Sequence, residues 1–286
     1  MLNQDQNAIR IDSHQHFWKY NPAKHSWMDE RKTVIKQDFL PKDLYPLLQK
    51  NEIDACVAVQ AAQDEAENDF LLGLAEDFEF IKGVVGWVDL RKQDVGDRLA
   101  FYQDNKLVKG FRHIIQDEAD PKFMLQPSFL AGIGLLEKSG FTYDILIYPK
   151  HLENALTLVR KFPHQRFVLD HIAKPEIGKE YAFESWSKGI KALAACDNLS
   201  CKVSGMVTEA DWTGWLKEDF TPYLDLVTAA FGTERLMYGS DWPVCLLAAS
   251  YDKVIDLAKT YFSNFSQSEQ QAVFGGNAAR FYQLNL

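Results

Sequence analysis

Short apolar runs and longer segments of helical spacing alternate along the whole chain. The runs place valine, isoleucine and aromatic residues at consecutive positions, which is typical of strands covered on both faces. Eight runs alternating with helices predict a parallel sheet, and eight strands close a (β/α)8 or TIM barrel. We therefore expect an α/β fold with a single barrel domain over residues 1–286. The strands are expected at residues 11–17, 55–61, 83–90, 107–114, 142–148, 166–172, 199–205 and 235–242.

The segments between the runs have the spacing of amphipathic helices. In residues 40–52, Leu44, Leu47 and Leu48 recur at helical intervals, and Pro41 stands near the start, where a helix tolerates proline. The longest gap lies between the first two runs; part of it shows no periodicity and is expected to cover the barrel mouth. The aperiodic part is residues 19–32, and further helical patterns occupy residues 67–78, 149–162 and 266–282.

Polar residues fall at the carboxyl ends of three predicted strands, where a barrel holds its chemistry. His14 and His16 are two residues apart on the first strand and therefore share a face, which Asp12 is expected to share as well. His171 ends the sixth strand and Asp241 ends the eighth. Barrel closure predicts that three imidazoles and one carboxylate, far apart in sequence, surround one mouth.

Two chemical roles suit this set of His14, His16, His171 and Asp241. Neutral imidazole and carboxylate are good ligands for one divalent metal such as zinc. Without a metal, the histidines would donate hydrogen bonds to a carbonyl oxygen while Asp241 takes a proton from water. The residues alone leave both roles open, and neither requires an organic cofactor.

Other polar residues at the predicted mouth are candidates for substrate binding. Arg112 and His113 close the fourth strand, and because side chains alternate along a strand, we favour Arg112 as the inward one. An inward lysine is costly without a partner, so we expect Lys202 to be solvated, with a place at the mouth as the alternative. The tryptophans offer indole faces to a sugar ring or simply pack. The remaining candidates are Gln60, Tyr148, His25, Trp27 and Trp242.

Several short strings resemble the amidohydrolase superfamily, and in particular its sugar-lactonase branch. They are "IDSHQHFW", "SWMDE", "VQAAQDEAEND", "KGFRHIIQDEAD", "LDHIAKP" and "YGSDWPVC". The resemblance extends from about residue 9 to the closing "GGNAARFYQL". It implies a hydrolase that opens lactones of six-carbon aldonic acids, such as L-fuconolactone or L-rhamnonolactone, and it implies that "FRH" contacts the substrate.

One departure from the superfamily pattern concerns the metal. Members with two metals carry a bridging lysine or glutamate on the fourth strand and a histidine on the fifth. Here the fourth strand ends in Arg112 and His113, Lys109 lies too early in it, and the fifth strand ends in Tyr148. The resemblance therefore implies one divalent metal, or a site that works without one.

Composition and net charge limit the expected binding partners and the expected location of the protein. The net charge of −9 opposes binding to phosphate backbones, so a nucleic acid partner is not expected. The first ten residues lack the apolar core of a secretory signal, and no run approaches the ~20 apolar residues of a membrane span. The four scattered cysteines read as reduced thiols. We expect a cytoplasmic protein without a membrane partner, either monomeric or a homo-oligomer.

The expected reaction is hydrolysis of a sugar lactone. Asp241 would activate water, the histidines would polarise the carbonyl, and Arg112 would hold the oxyanion. The chain has no G-x-S-x-G motif, which argues against a serine esterase. Two alternatives remain: a one-metal decarboxylase or amidohydrolase acting on a small cyclic or aromatic acid, and a non-catalytic barrel that binds a sugar acid or a protein.

Overall fold

The computed structural model describes residues 8–286, so the first seven residues of the predicted domain lie outside the described part. Eight parallel strands form one sheet in chain order, and the predicted (β/α)8 barrel is confirmed. The strands are β1 (Ile11–Gln15), β2 (Ala55–Val59), β3 (Ile81–Gly86), β4 (Val108–His113), β5 (Thr142–Ile145), β6 (Phe167–Leu169), β7 (Leu199–Val203) and β8 (Leu236–Tyr238).

Helices surround the sheet, and each of the four helical patterns noted in the sequence corresponds to one or more of them. Within residues 8–286, no helix is long and apolar enough to cross a membrane. The helices are α1 (Pro41–Lys50), α2 (Glu65–Asp77), α3 (Val95–Gln103), α4 (Pro127–Ser139), α5 (Leu152–Lys161), α6 (Glu180–Ala194), α7 (Lys217–Phe231), α8 (Tyr251–Phe262), α9 (Gln267–Gln271) and α10 (Asn277–Tyr282).

The barrel closes through the chain that follows β8. The backbone N–H of Asp241 donates to the carbonyl of His14 at 2.8 Å, and the N–H of His16 donates to the carbonyl of Trp242 at 2.7 Å. These two hydrogen bonds tie the end of the last strand to the end of the first. Closure itself therefore places the carboxylate of Asp241 beside the two histidines.

Two hydrophobic clusters show which faces of the strands point inward. The large cluster joins one face of the strands, including Cys56 and Ala58, to the surrounding helices. The small cluster lies inside the barrel, where Val57 and Val59 meet residues of other strands, and Tyr282 of α10 packs against it. On β7 and β5, the same alternation directs Lys202 and Asp144 inward, above this apolar layer.

A β-bulge in β1 changes which residues face the interior. Asp12 pairs with Cys56 and Gln15 pairs with Ala58, so three steps along β1 match two steps along β2. The extra residue reverses the alternation, as bulges do. The expectation that Asp12 shares a face with the two histidines is therefore wrong. Its carboxylate instead accepts hydrogen bonds from the backbone N–H of Ser240 and the hydroxyl of Tyr251 on α8.

Candidate active site

Three imidazoles and one carboxylate converge at the carboxyl ends of the strands. The Nε2 atoms of His14 and His16 are 3.2 Å apart, and Oδ1 of Asp241 lies 3.3 Å from Nε2 of His16. The same oxygen is 3.8 Å from Nε2 of His14 and 3.8 Å from Nε2 of His171. The carboxylate of Asp241 therefore lies within 4 Å of all three imidazoles that the sequence placed at the same mouth.

Hydrogen bonds at the far side of two rings orient them toward Asp241. Nδ1 of His16 lies 2.7 Å from the carbonyl oxygen of Val59, which can only accept, so the ring proton is on Nδ1. This leaves Nε2 of His16 as an acceptor or ligand atom. Nδ1 of His171 meets the hydroxyl of Ser204 at 2.8 Å, and Nε2 of that ring is directed at the same centre.

The backbone of the site is strained where it presents these groups. His171 to Lys174 form four consecutive residues with φ between 48° and 60°, and Asp241 has φ 58°. Left-handed conformations cost roughly 1–2 kcal/mol per non-glycine residue and persist where the surroundings over-determine them. The turn after β6 thereby directs both His171 and Lys174 toward one cavity.

Two glycines allow the close approach of the histidines. A Cβ atom at Gly239 would lie 2.6 Å from the Cβ of His14, which is too close for any side chain. Gly205 has φ +60°, and a Cβ there would overlap the imidazole of His171. Both positions therefore require glycine if the rings are to reach their observed places.

A buried charged network lies directly beneath His14. Nζ of Lys202 is 2.6 Å from the Asp144 carboxylate, 3.0 Å from Asp170 and 3.0 Å from Nδ1 of His14. The Lys202 side chain has no solvent exposure. The expectation that Lys202 is solvated is therefore wrong, because the two carboxylates supply the partners that a buried ammonium needs, and the side chain lies outside the cavity wall.

The network leaves two proton positions open on His14. Oδ1 of Asp170 lies 3.3 Å from Nδ1 and can accept its proton, which frees Nε2 to bind a metal. Nζ of Lys202 also faces Nδ1 and can donate to it, which places the ring proton on Nε2. The first tautomer suits a metal ligand, and the second suits a hydrogen-bond donor to a carbonyl oxygen.

Arg112 is the inward residue at the end of β4, as favoured from the sequence. Its guanidinium contacts Asp170 at 3.0 Å and Nε2 of His14 at 3.2 Å. It also donates to the carbonyl and the side-chain oxygen of Gln60. Gln60 is fully buried and outside the cavity wall, so it orients Arg112 rather than meeting a substrate directly.

Three other candidates for substrate binding pack away from the cavity. His113 points outward from β4, donates to Glu118 at 2.7 Å and stacks on a phenylalanine. His25 is 4% exposed and lies between two aromatic rings, while Trp242 is 2% exposed and packs edge-on against two phenylalanines. All three residues therefore pack in the aromatic core around the mouth and lie outside the cavity wall, and packing is the alternative that the sequence had left open for Trp242.

Charge states at the site follow from burial. Burial lowers the pKa of His14, His16 and His171, the last to about 4, so the three rings are neutral near pH 7. Burial opposes ionisation of Asp241, but the neighbouring imidazoles, His171 foremost, hold the pKa of its carboxyl below its usual range. The centre thus presents neutral nitrogen donors and one carboxylate.

This donor set fits one divalent metal. Tetrahedral zinc with bonds of ~2.0–2.2 Å places its ligand atoms about 3.3–3.6 Å apart. Nε2 of His14, Nε2 of His171 and Oδ1 of Asp241 lie within 4.8 Å of one another, and His16 adds the short distances given above. Ionisation states, atom types and spacing all agree with a zinc site of three histidines and one aspartate.

Metal binding gives the first testable outcome. We expect metal-free protein to take up about one cobalt(II) per chain with the visible spectrum of a tetrahedral ion, because the four donors are preorganised. His171→Asn should weaken this affinity at least tenfold, by analogy with the effects of lost ligand support. The exposed His164, changed to asparagine, is the matched control and should bind as the native chain does. Stoichiometric uptake of two ions would contradict the assignment.

The centre opens into a cavity of about 600 Å³. Cavities of ~300–1,000 Å³ are typical of small-molecule sites. The loop expected to cover the mouth contributes to its wall. Among the predicted site residues, those in the wall are His16, Trp27, Arg112, Tyr148, His171 and Asp241.

Sequence reasoning missed four charged residues around the site. Asp144 and Asp170 hold Lys202 and Arg112, and each directly follows an apolar residue of a predicted strand. Lys174 lies three residues after His171, inside a string that had already been noted. Glu209 lies in a short loop turn, Val207–Glu209, and nothing in the sequence distinguishes it from a surface acid.

Fold and site define an α/β-barrel enzyme of the amidohydrolase type. The sequence profile described as "Amidohydrolase" matches residues 11–284, and the chain belongs to this family. It is 41% identical to an L-fucono-1,5-lactonase of Burkholderia multivorans and 35% identical to one of Burkholderia ambifaria, each over 97% of both chains. A crystal structure of an amidohydrolase from Burkholderia multivorans with bound zinc has a TM-score of 0.94 and 40% identity, covering 97% of this chain and 100% of that one.

Proposed function

We propose that this chain is a lactonase that hydrolyses the cyclic ester of a six-carbon aldonic acid, with L-fucono-1,5-lactone as the first substrate to test. The observation that carries the proposal is the Asp241 carboxylate, ionised and held among three neutral imidazoles in the wall of a cavity. The names of two relatives that match over 97% of their length support the same reaction.

The chemistry follows from what lactone hydrolysis requires. Water must lose a proton as its oxygen attacks the carbonyl carbon, and Asp241 is the ionised base within the centre. The guanidinium of Arg112, which lies in the cavity wall and 3.2 Å from Nε2 of His14, is the charged donor for the oxyanion that forms. The protonated Asp241 then returns the proton to the ring oxygen as its bond to the carbonyl carbon breaks. A divalent metal bound by the histidines and Asp241 supplies further stabilisation of negative charge.

The cavity also suits a small polar ring. Trp27 offers an aromatic face, Tyr148 offers a hydroxyl, and the aspartate and arginine lie in the same wall. Small-molecule sites combine apolar surface with a few convergent polar groups in this way. A cytoplasmic location belongs to the proposal and is supported by the four cysteines, all of which are free thiols.

The test is a pH-indicator assay on a panel of five- and six-membered aldonolactones, with and without chelator. We expect acid release from at least one six-carbon lactone, and the rate with chelator shows whether the reaction requires a metal. The rival function is a one-metal decarboxylase, which the zinc-compatible donor set also suits. Carbon dioxide release from aromatic acids, lost with the metal and accompanied by no lactone hydrolysis, would replace the proposed function with that rival.

A further inference from the structure

Two charged residues in the cavity wall take no part in the mechanism above. Lys174 follows the strained turn that presents His171, and Glu209 ends the short helical turn after β7. Both side chains are mostly buried, with 14% and 18% exposure, and both line the same cavity as Asp241. Their charges cancel, so this part of the wall suits a neutral polar group better than an anion.

The contact between the two side chains is loose. Nζ of Lys174 lies 3.5 Å from Oε1 of Glu209, whereas charge-assisted hydrogen bonds are normally ~2.7–2.9 Å long. Within residues 8–286, neither the ammonium of Lys174 nor the carboxylate of Glu209 makes a shorter polar contact. An ammonium has three donor protons and a carboxylate accepts several bonds. The pair therefore retains donors and acceptors for a ligand in the cavity.

The backbone holds this pair in place at some cost. Lys174 has φ 48°, and its N–H donates to the carbonyl of His171 at 2.8 Å. The carbonyl of Glu209 accepts a hydrogen bond from the N–H of Ile177, which joins the loops that follow β6 and β7. Strained backbone supported by neighbouring loops is found where a side chain must be presented in one direction.

Two further polar atoms of the same wall lack partners. Nε1 of Trp27 is a buried donor, and Oε1 of Gln116 is a buried acceptor, and neither has a hydrogen-bond partner among the described residues. Buried polar atoms without partners are rare and point to a missing group. A ligand bearing several hydroxyl groups can satisfy a donor and an acceptor at once, because each hydroxyl both donates and accepts.

We propose that Lys174 and Glu209 together recognise two neighbouring hydroxyl groups of the lactone ring and so determine the preference for polyhydroxylated over unsubstituted lactones. The ammonium donates to one hydroxyl oxygen, and the carboxylate accepts the proton of the other. This inference rests on the proposed function and specifies which part of the substrate the cavity reads. Neither residue contacts the reacting ester, so their contribution belongs to binding and selection.

The experiment compares L-fucono-1,5-lactone with δ-valerolactone, the unsubstituted six-membered lactone. Lys174→Met and Glu209→Gln should each lower kcat/KM for the sugar lactone about 10–100-fold, mostly through KM, because each removes a hydrogen bond to a charged group. Hydrolysis of δ-valerolactone should change less than about threefold, since that ring has no hydroxyl to bind. Methionine and lysine have similar backbone preferences, so the substitution should preserve the turn at Lys174.

A double variant, an inhibition measurement and a control variant test the proposal further. The double variant should lose less than the product of the two single losses, because each residue acts with the other on one diol. The open-chain aldonate should inhibit Lys174→Met about tenfold more weakly than the native enzyme, which tests binding without turnover. Lys50→Met, at an exposed lysine–aspartate pair of 2.7 Å outside the cavity, is the matched control and should leave both rates unchanged.

The possible results distinguish failure of the proposed function from failure of the proposed role of Lys174 and Glu209. A native enzyme that hydrolyses no lactone of the whole panel refutes the proposed function and this inference with it. A native enzyme that hydrolyses both L-fucono-1,5-lactone and δ-valerolactone, with Lys174→Met losing activity on both by the same factor, refutes the inference alone. Unchanged aldonate inhibition in that variant refutes it as well, whatever the rate on δ-valerolactone.

Discussion

Replacing Asp241 with asparagine should lower kcat for lactone hydrolysis by about 10²–10⁴-fold, the contribution of a positioned general base. The amide cannot accept the proton of water, while its size and its tolerance of the left-handed conformation match the native residue. The loss should appear in kcat rather than in KM, because the carboxylate acts on water and not on the sugar. Initial rates by pH indicator across substrate concentrations measure both constants.

The control for Asp241→Asn is a second aspartate outside the site. Asp252 lies on α8, pairs with Lys50 and is partly exposed, so Asp252→Asn should retain the native rate. Melting temperatures of both variants within a few degrees of the native value would exclude a folding defect. A rate within threefold of native for Asp241→Asn would remove this residue from the role of base.

The contact among the histidines and Asp241 follows from strand order alone. Parallel strands buried on both faces read as apolar runs, and in a closed barrel all their carboxyl ends meet at one rim. Residues at the ends of the first, sixth and eighth runs must therefore be neighbours, however far apart they lie in sequence. Polar residues that end such runs are the strongest signal in the chain.

Local irregularities are where the reasoning from sequence failed. The bulge in β1 reverses the alternation between Asp12 and His14, and no residue in "IDSHQH" indicates a bulge. Its cause is tertiary, since the carboxylate of Asp12 is held outside the barrel by Ser240 and Tyr251. Strict alternation of side chains along a strand cannot predict an extra residue when the hydrogen-bond partners that stabilise it lie more than 200 positions away.

The charged partners of Lys202 inside the barrel could not be predicted from the sequence either. Lys202 looked costly to bury because its partners are distant in sequence: Asp144 lies on β5 and Asp170 directly follows β6. The inward alternation of three strands brings one cation and two carboxylates to the same level of the barrel. Their charges stabilise one another only in the folded chain, so the arrangement could be expected only once the register was known.

Removal of the Lys202 charge should produce the largest loss of stability of any substitution considered for this chain. Lys202→Met leaves the carboxylates of Asp144 and Asp170 in the barrel without the ammonium that contacts both. Breaking a buried ion pair on one side costs about 3–5 kcal/mol in the free energy of unfolding. That loss corresponds to a melting temperature lower by roughly 10 °C. Urea unfolding followed by circular dichroism measures the free energy directly.

A second substitution separates uncompensated charge from lost packing. Lys202→Met combined with Asp144→Asn removes both members of the closest contact, so it should recover at least half of the lost stability, since the amide still accepts the hydrogen bond from Tyr282. Lys50→Met, at the exposed pair, should cost less than about 1 kcal/mol. Equal losses in the single and double variants would show that the lysine stem, rather than its charge, holds the barrel together.

The pH dependence of the Lys202→Met deficit tests the same explanation. In the native chain burial raises the pKa of Asp144 to about 6, from an ordinary 3.8. A folded-state pKa above the unfolded value means that the folded chain binds the proton of Asp144 more tightly, so the contribution of this group to stability is greatest below pH 3.8 and falls as the pH rises toward 6. Without the ammonium this pKa rises further, and the fall extends to higher pH. The deficit should therefore be larger at pH 8 than at pH 5, and Asp144→Asn in the same chain should reduce the difference, while Asp170 retains its own dependence on Lys202.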